Sequence, residues 1–252
     1  GFADMLIALN IPYDSEEALA AAENVAKFIE GEARKISVEL GEIRGTFSNF
    51  TGSIWDKKGY SAMRNATLTT IAPTGSISII AGTTSGIEPL FAIAFVRDVM
   101  EGTKLLEVNP LFEKTAREQG FYSKELMMEI AKQGTIQDVK EVPKDVRRVF
   151  VTALDISPEW HVRIQAAFQK YTDNAVSKTV NLPTEATPED VRKVFLLAHK
   201  LKCKGVTVYR YGSKKEQVLY LGPILIKQLA EEEHVSAKSE YAGGCPAIEC
   251  PY

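Results

Sequence analysis

The chain has 252 residues, 45% of them hydrophobic and 25% charged, with a formal net charge of −3 and a pI near 5.8. That balance suits a soluble globular protein with a sizeable core in one large or two small domains. It excludes a nucleic-acid footprint, since no basic excess exists to neutralise phosphates, although a single phosphate site needs only local donors. No membrane partner is expected either: the longest apolar stretches, around Ile77–Ala81 and Pro89–Val96, are well below the roughly 18–20 residues of a spanning helix.

No basic stretch leads into an apolar one near the start, so no secretory signal is read. The first residues, Gly1-Phe2-Ala3-Asp4-Met5-Leu6, read as the interior of a longer polypeptide, and an N-terminal part is expected ahead of them. Cys203, Cys245 and Cys250 are too few for an extracellular disulfide scaffold, and a cytoplasmic setting is expected.

Asp14 or Ser15 caps a first long helix, with Glu16 and Glu17 favourable in its first turn. Leu19, Ala22, Val25, Phe28 and Ile29 follow helical spacing, and the helix is expected to run to about Leu40. Residues 44–65 are rich in Gly, Ser, Asn and aromatics without a period, and read as an ordered loop. Thr67–Ala72 is short and β-branched, and reads as a buried strand ending at Pro73 and Gly75. The region from about 105 to 155 reads as helical, with breaks near Gly120, Gly134 and Pro143.

Ser157-Pro158 opens another helix, with Trp160, Ile164, Ala167, Phe168 and Tyr171 on one face. Ala175–Leu182 is strand-like and ends at Pro183. Thr187-Pro188-Glu189-Asp190 is a strong helix start, and Val191, Val194, Phe195, Ala198 and Leu201 line the face expected to be buried. Gly205–Tyr209 is the next strand. Helix, strand, helix and strand in this order predict an α/β fold with parallel strands joined by helical crossovers. Residues 1–226 are read as one domain and 227–252 as a flexible tail, acidic and then rich in Ser and Gly.

Two segments carry candidate chemistry. Ala72-Pro73-Thr74-Gly75-Ser76-Ile77-Ser78 follows the predicted strand. Pro73 shapes a turn, Gly75 permits close approach, Thr74, Ser76 and Ser78 supply hydroxyls, and exposed amides there favour an anion such as phosphate. By spacing alone the same residues also describe a purely structural turn, as do Thr83–Pro89 with their single carboxylate. At the other end, Cys245 and Cys250 lie behind a Gly243-Gly244 hinge. Such a pair can close a local disulfide or exchange with another disulfide through a thiolate. Zinc with His234 as third ligand, or incidental thiols, are the rival readings. Cys203 stands between Lys202 and Lys204, whose charge would lower its pKa; a partly buried, inert thiol is the alternative. His161 reads as structural and His199 as a surface residue.

Several strings together resemble one family. Arg64–Ser78, Ser85-Gly86-Ile87-Glu88-Pro89, Gln165–Gln169, Asp173–Pro183 and Lys204–Arg210, in this order and with the Cys-x4-Cys ending, look like the ribonucleotide reductases of the adenosylcobalamin-dependent kind (class II). The resemblance implies the C-terminal half of a ten-stranded α/β barrel with a flexible C-terminal tail. It implies reduction of ribonucleotides, diphosphates above all, to 2′-deoxyribonucleotides, with adenosylcobalamin as the source of a cysteine thiyl radical. By the same resemblance Pro73, Thr74, Gly75, Ser76 and Ser78 hold substrate phosphates. Cys245 and Cys250 re-reduce the active-site disulfide, and a thioredoxin- or glutaredoxin-like partner recharges them.

The family's radical cysteine stands in Asn-x-Cys-x-Glu, a pattern this chain lacks; Cys203 follows Leu201-Lys202. The cysteine is therefore expected on an upstream N-terminal portion, and this chain alone is expected not to turn over. Iron-dependent relatives carry two adjacent tyrosines in the late strand. Here the pair reads Tyr209-Arg210, which points to cobalamin, with Tyr211 leaving a shifted relay open. A non-catalytic nucleotide-binding module and an iron-dependent large chain are the rival readings, and a homodimer is left open.

Overall fold

The computed structural model describes residues 1–99 and 103–213. His234, Cys245, Cys250 and the tail 227–252 lie outside the described residues. Helix α1 (Phe2–Ala8) turns Phe2, Ala3 and Leu6 inward. Ser15, in extended conformation, then accepts the amide of Ala18 at 3.1 Å and starts the 29-residue helix α2 (Glu16–Arg44).

Helix α2 runs a full turn beyond the expected end because its C-terminal half docks on residues 62–65. Ser37 and Gly41, one turn apart, are the buried positions there. The Ser37 carbonyl accepts the Arg64 amide at 2.9 Å and its hydroxyl oxygen accepts the Asn65 amide at 3.1 Å. A Cβ on Gly41 would lie 2.9 Å from the Met63 nitrogen and 3.0 Å from that of Arg64, so the approach requires glycine. The expected loop after α2 contains a short helix, α3 (Ile54–Lys57), capped by Ser53. It buries Trp55, whose indole N–H donates to the Ala66 carbonyl at 2.8 Å.

The strand expected at Thr67–Ala72 is not formed; Ile71 alone makes a parallel bridge, to Val176. Side chains take the bonds that a ladder would use. The Leu68 amide donates to the Asp173 carboxylate at 2.8 Å, the Asp173 amide to the Thr69 hydroxyl at 2.9 Å, and the Thr70 hydroxyl to the Ala175 carbonyl at 3.2 Å. Helix α4 (Gly75–Ala81) follows directly.

The middle region is not helical from its start. Strands β1 (Ala94–Val99) and β2 (Thr103–Val108) form an antiparallel pair, in register from Ala94↔Val108 to Val99↔Thr103. Helices α5 (Pro110–Glu118), α6 (Lys124–Gln133) and α7 (Lys144–Val149) then break where expected: α6 ends on Gly134 at φ 75°, and Pro143 precedes α7. Phe112, Met127, Ile130, Ile136, Val142 and Phe150 form the core of this region.

The C-terminal part alternates as the sequence predicts: α8 (Pro158–Gln169), β3 (Thr179–Leu182), α9 (Pro188–Lys200) and β4 (Thr207–Arg210). Strands β3 and β4 pair in parallel, Thr179↔Thr207 through Leu182↔Arg210, with α9 as the crossover. Thr187 and Asp190 close a capping box at the start of α9. Val194 and Ala198 are buried and Val191 and Leu201 pack beside them, but Phe195, expected on the same face, is exposed. It lies about 100° around the helix from Val194, beyond the edge of the buried stripe.

Helix α8 is shared by two cores. Ile164, Ala167 and Phe168 pack with α1 and the first half of α2, while Val162 packs with Val180, Leu182, Val194 and Ala198. Among the described residues the strands make two separate two-stranded sheets, and two isolated parallel bridges, Ile71–Val176 and Leu90–Thr152, lie outside them. The class is α/β, and the sheet is small and not closed. Among the described residues no helix is long and apolar enough to cross a membrane.

The Gly41 contact generates a stability prediction. Gly41→Ala, although alanine is the better helix former, destabilises the protein by about 1–3 kcal/mol through overpacking against backbone. Urea unfolding of the two forms measures the difference.

Candidate functional site

The turn singled out in the sequence follows Ile71, at the C-terminal end of a parallel pairing. Ligands of open α/β sheets gather at that end of the strands. Thr74 adopts the left-handed conformation, φ 50° and ψ 26°, which is uncommon for a branched residue and costs about 1–3 kcal/mol. Ser85 holds it there. The Ser85 hydroxyl donates to the Pro73 carbonyl at 2.6 Å and lies 3.3 Å from the Thr74 hydroxyl. With its one proton committed, Ser85 is the acceptor of that second bond. Gly86, at φ +50°, closes the return segment against the turn; a Cβ there would meet Thr74 Oγ1 at 3.5 Å and the Ala72 carbonyl at 3.6 Å.

Thr74 therefore swings the chain into α4 with the amides of Gly75, Ser76 and Ile77 at its open N-terminus. Among the described residues none of the three has an acceptor. Pro73 and Ser76 are exposed and Thr74 and Gly75 half-buried. Ser78 sits beneath them: it is buried, and its hydroxyl donates to the Gly75 carbonyl at 2.8 Å. The structure thus gathers Pro73, Thr74, Gly75 and Ser76 on one accessible rim and places Ser78 under it as a support.

Behind the turn lies a buried charged network that the sequence did not announce. The Lys178 side chain is 0% exposed. Its ammonium donates to Glu88 Oε2 at 2.6 Å, to His161 Nδ1 at 2.8 Å and to the Thr179 carbonyl at 2.6 Å. All three protons are used. Glu88 spends its other oxygen on the Thr179 amide at 2.7 Å. His161 accepts from Lys178 at Nδ1, so its proton is on Nε2, which donates to the Ala153 carbonyl at 2.9 Å. Burial lowers the Lys178 pKa, against the opposing pull of Glu88. Burial first, and the Lys178 charge second, bring His161 down to about 3. Nearby, the Tyr13 hydroxyl donates to the Ile87 carbonyl at 2.5 Å, and burial, then the Glu88 charge, raise its pKa well above the usual phenol value.

Asp173 anchors the approach to the turn from the other side. Besides the Leu68 amide, its carboxylate lies 3.4 Å from Arg34, whose guanidinium stacks 4.5 Å over the Trp55 ring. Ser85, Lys178 and Asp173 have no role by sequence reasoning. A lysine inside the strand-like run Ser177–Leu182 was the available signal for one of them.

Cys203 is half-buried, and burial raises its pKa, so the flanking lysines do not activate it. One of them, Lys204, is engaged with the Asp173 carbonyl. His161 is structural and His199 exposed, as expected. Among the described residues no group of three or more His, Cys, Asp or Glu side chains is placed to hold a metal ion.

An α/β chain with parallel pairs and an open-amide turn at the end of one of them is the class these features define. The chain belongs to the ribonucleotide reductase family: residues 1–209 match its description "Ribonucleotide reductase, barrel domain". It is 49% identical over 261 residues, 99% of its own length, to a vitamin B12-dependent ribonucleoside-diphosphate reductase of Thermoplasma acidophilum. To the protein of the same name from Mycobacterium tuberculosis it is 49% identical over 253 residues, all of its length. The chain spans about a third, 34%, of each of these curated relatives. Among solved structures it is similar to the class Id ribonucleotide reductase alpha subunit of Actinobacillus ureae. The TM-score is 0.69 at 26% identity, covering 84% of this chain and 38% of that one.

The His161 environment sets a pH dependence. In the unfolded chain the imidazole takes up a proton near pH 6.5, whereas in the fold it stays neutral down to about 3. Its contribution to stability is complete above pH 6.5 and is lost as pH falls towards 3, at up to about 1.4 kcal/mol per pH unit. Unfolding free energy measured between pH 7 and 4 therefore falls more steeply for the wild type than for His161→Gln.

Proposed function

We propose that this chain is the C-terminal portion of an adenosylcobalamin-dependent ribonucleotide reductase, in which the Pro73–Ser78 turn holds the phosphates of a ribonucleoside diphosphate. The observation that carries the reading is the left-handed Thr74, which leaves the Gly75, Ser76 and Ile77 amides open on an accessible rim. Three amide donors at a helix start suit a phosphoryl oxygen, and with no lysine or arginine on the rim they are its main attraction. The near-50% likeness to B12-dependent diphosphate reductases supports both the cofactor and the substrate class.

When bound, adenosylcobalamin supplies the radical. Among the described residues the cleft at Gly31, Arg34, Lys35, Val38, Glu39 and Tyr60, about 450 Å³ and open, is small for a corrinoid and does not fit as its holder. This chain's own part is to bind and orient. The turn fixes the diphosphate and Ser85 keeps the turn shaped, while the radical cysteine, its barrel strands and the remainder of a ten-stranded barrel come from the rest of the reductase polypeptide. Cys245 and Cys250 carry electrons inward: one thiolate attacks the active-site disulfide, the mixed disulfide resolves as Cys245–Cys250, and a thioredoxin- or glutaredoxin-like dithiol reduces it.

The test is ribonucleotide reduction by the complete enzyme, with and without adenosylcobalamin. Turnover requires the cofactor, and Ser76→Glu, which sets a carboxylate against the phosphates, raises KM for the diphosphate about tenfold or more, equivalent to about 1.4 kcal/mol. Cofactor-independent turnover, or an unchanged KM, counts against the reading. For the tail, Cys245→Ser abolishes turnover driven by thioredoxin and spares turnover driven by a small dithiol that reaches the active site directly. Equal loss with both reductants removes the shuttle role.

A further inference from the structure

We propose that Lys178 is the positioning residue of the Pro73–Ser78 turn: by holding Glu88 it fixes the Ser85–Glu88 return segment that keeps Thr74 left-handed. The inference deepens the phosphate reading above and rests on it.

The contacts form a short relay. Lys178 holds Glu88 Oε2 at 2.6 Å, and the Thr179 amide holds Oε1 at 2.7 Å, so both carboxylate oxygens are tied to consecutive residues at the start of β3. His161 and the Thr179 carbonyl take the remaining ammonium protons and leave the nitrogen one position. Two residues before Glu88, Gly86 lies against Thr74 and Ala72; one residue earlier, the Ser85 hydroxyl donates to the Pro73 carbonyl at 2.6 Å. On the far side of Glu88, Pro89 and Leu90 are buried, and Leu90 bridges in parallel to Thr152. Glu88 is thus one fixed point of the segment that turns back to clamp Thr74, beside the Ile87 carbonyl, which accepts the Tyr13 hydroxyl, and the Gly86 carbonyl, which accepts the Phe2 amide at 3.2 Å.

Stability alone is a poor reason for this lysine. A buried ion pair is often no more stabilising than apolar side chains of the same volume, because two charges must lose their water. What the pair supplies is direction, since a carboxylate held at both oxygens cannot slide along the strand. Without that hold the return segment relaxes, Thr74 leaves its strained conformation for part of the time, and the three amides no longer converge. A site that is competent for only a fraction of the time binds more weakly by that fraction, while the filled site still reacts.

The experiment uses the complete reductase carrying Lys178→Met, with a ribonucleoside diphosphate as substrate and saturating adenosylcobalamin. The expected result is a KM raised about tenfold with kcat within about twofold of the wild type, the split that a loosened but fillable turn produces. A lysine that only supports the fold gives the opposite split, fewer active molecules at an unchanged KM, and that result overturns the proposal. If Lys178→Met yields no soluble enzyme, Glu88→Gln decides: it keeps the shape and weakens both bonds, and KM rises several-fold if the proposal holds and is unchanged if it does not. Ser76→Glu, measured in parallel, separates the two readings. If Ser76→Glu moves KM and the Lys178 and Glu88 variants do not, the positioning role falls and the phosphate site stands. If none of the three moves it, both fall.

Discussion

An ammonium group has three protons and no lone pair, so away from water it needs three acceptors in set directions. Lys178 finds them in Glu88, His161 and the Thr179 carbonyl, drawn from the return segment behind the turn, from α8 and from β3 itself. That requirement settles much around it. His161 must be neutral with its proton on Nε2, and Glu88 must present one oxygen to the ammonium and one to the Thr179 amide. The irregular segment between Thr83 and Pro89 gains an anchor at its end nearest β3, in addition to the bonds that Asp4, Phe2 and Tyr13 make to Thr84, Gly86 and Ile87.

The apolar framework makes such an anchor effective. Helix α8 contributes to two cores at once, and His161 sits on it next to Val162, which belongs to one core, and three residues before Ile164, which belongs to the other. Movement of α8 would unpack both, so the imidazole is a rigid wall for the lysine. On the opposite flank, Ser37 and Gly41 of α2 hold residues 62–65, and Asp173 holds Leu68. The turn is thus suspended between two fixed supports, and the strain at Thr74 is maintained by its surroundings rather than by its own residues.

Elements with strong local signals were legible in the sequence. Thr187-Pro188-Glu189-Asp190 specifies a helix start by its own side chains, and α9 begins there with both capping bonds present. The parallel pairing of β3 and β4 follows from the helix between them, and Gly134 and Pro143 mark real breaks. The misreadings arose where tertiary partners replaced local ones. Thr67–Ala72 has strand composition, yet Asp173 and three threonine hydroxyls take up its bonding. Phe195 satisfies the helical period but falls off the edge of the buried stripe.

By itself the sequence determined the α/β class, the family and the place of the turn, because each is written in contiguous residues whose preferences act over a few positions. Only the tertiary structure decided that Ser85 clamps Thr74, that Lys178 is buried with all its protons spent, and that the lysines beside Cys203 leave it unactivated. The physical reason is distance along the chain. Lys178 and Glu88 are 90 residues apart and Leu68 and Asp173 are 105 apart, and no local propensity encodes a contact that exists only once two cores have closed around it.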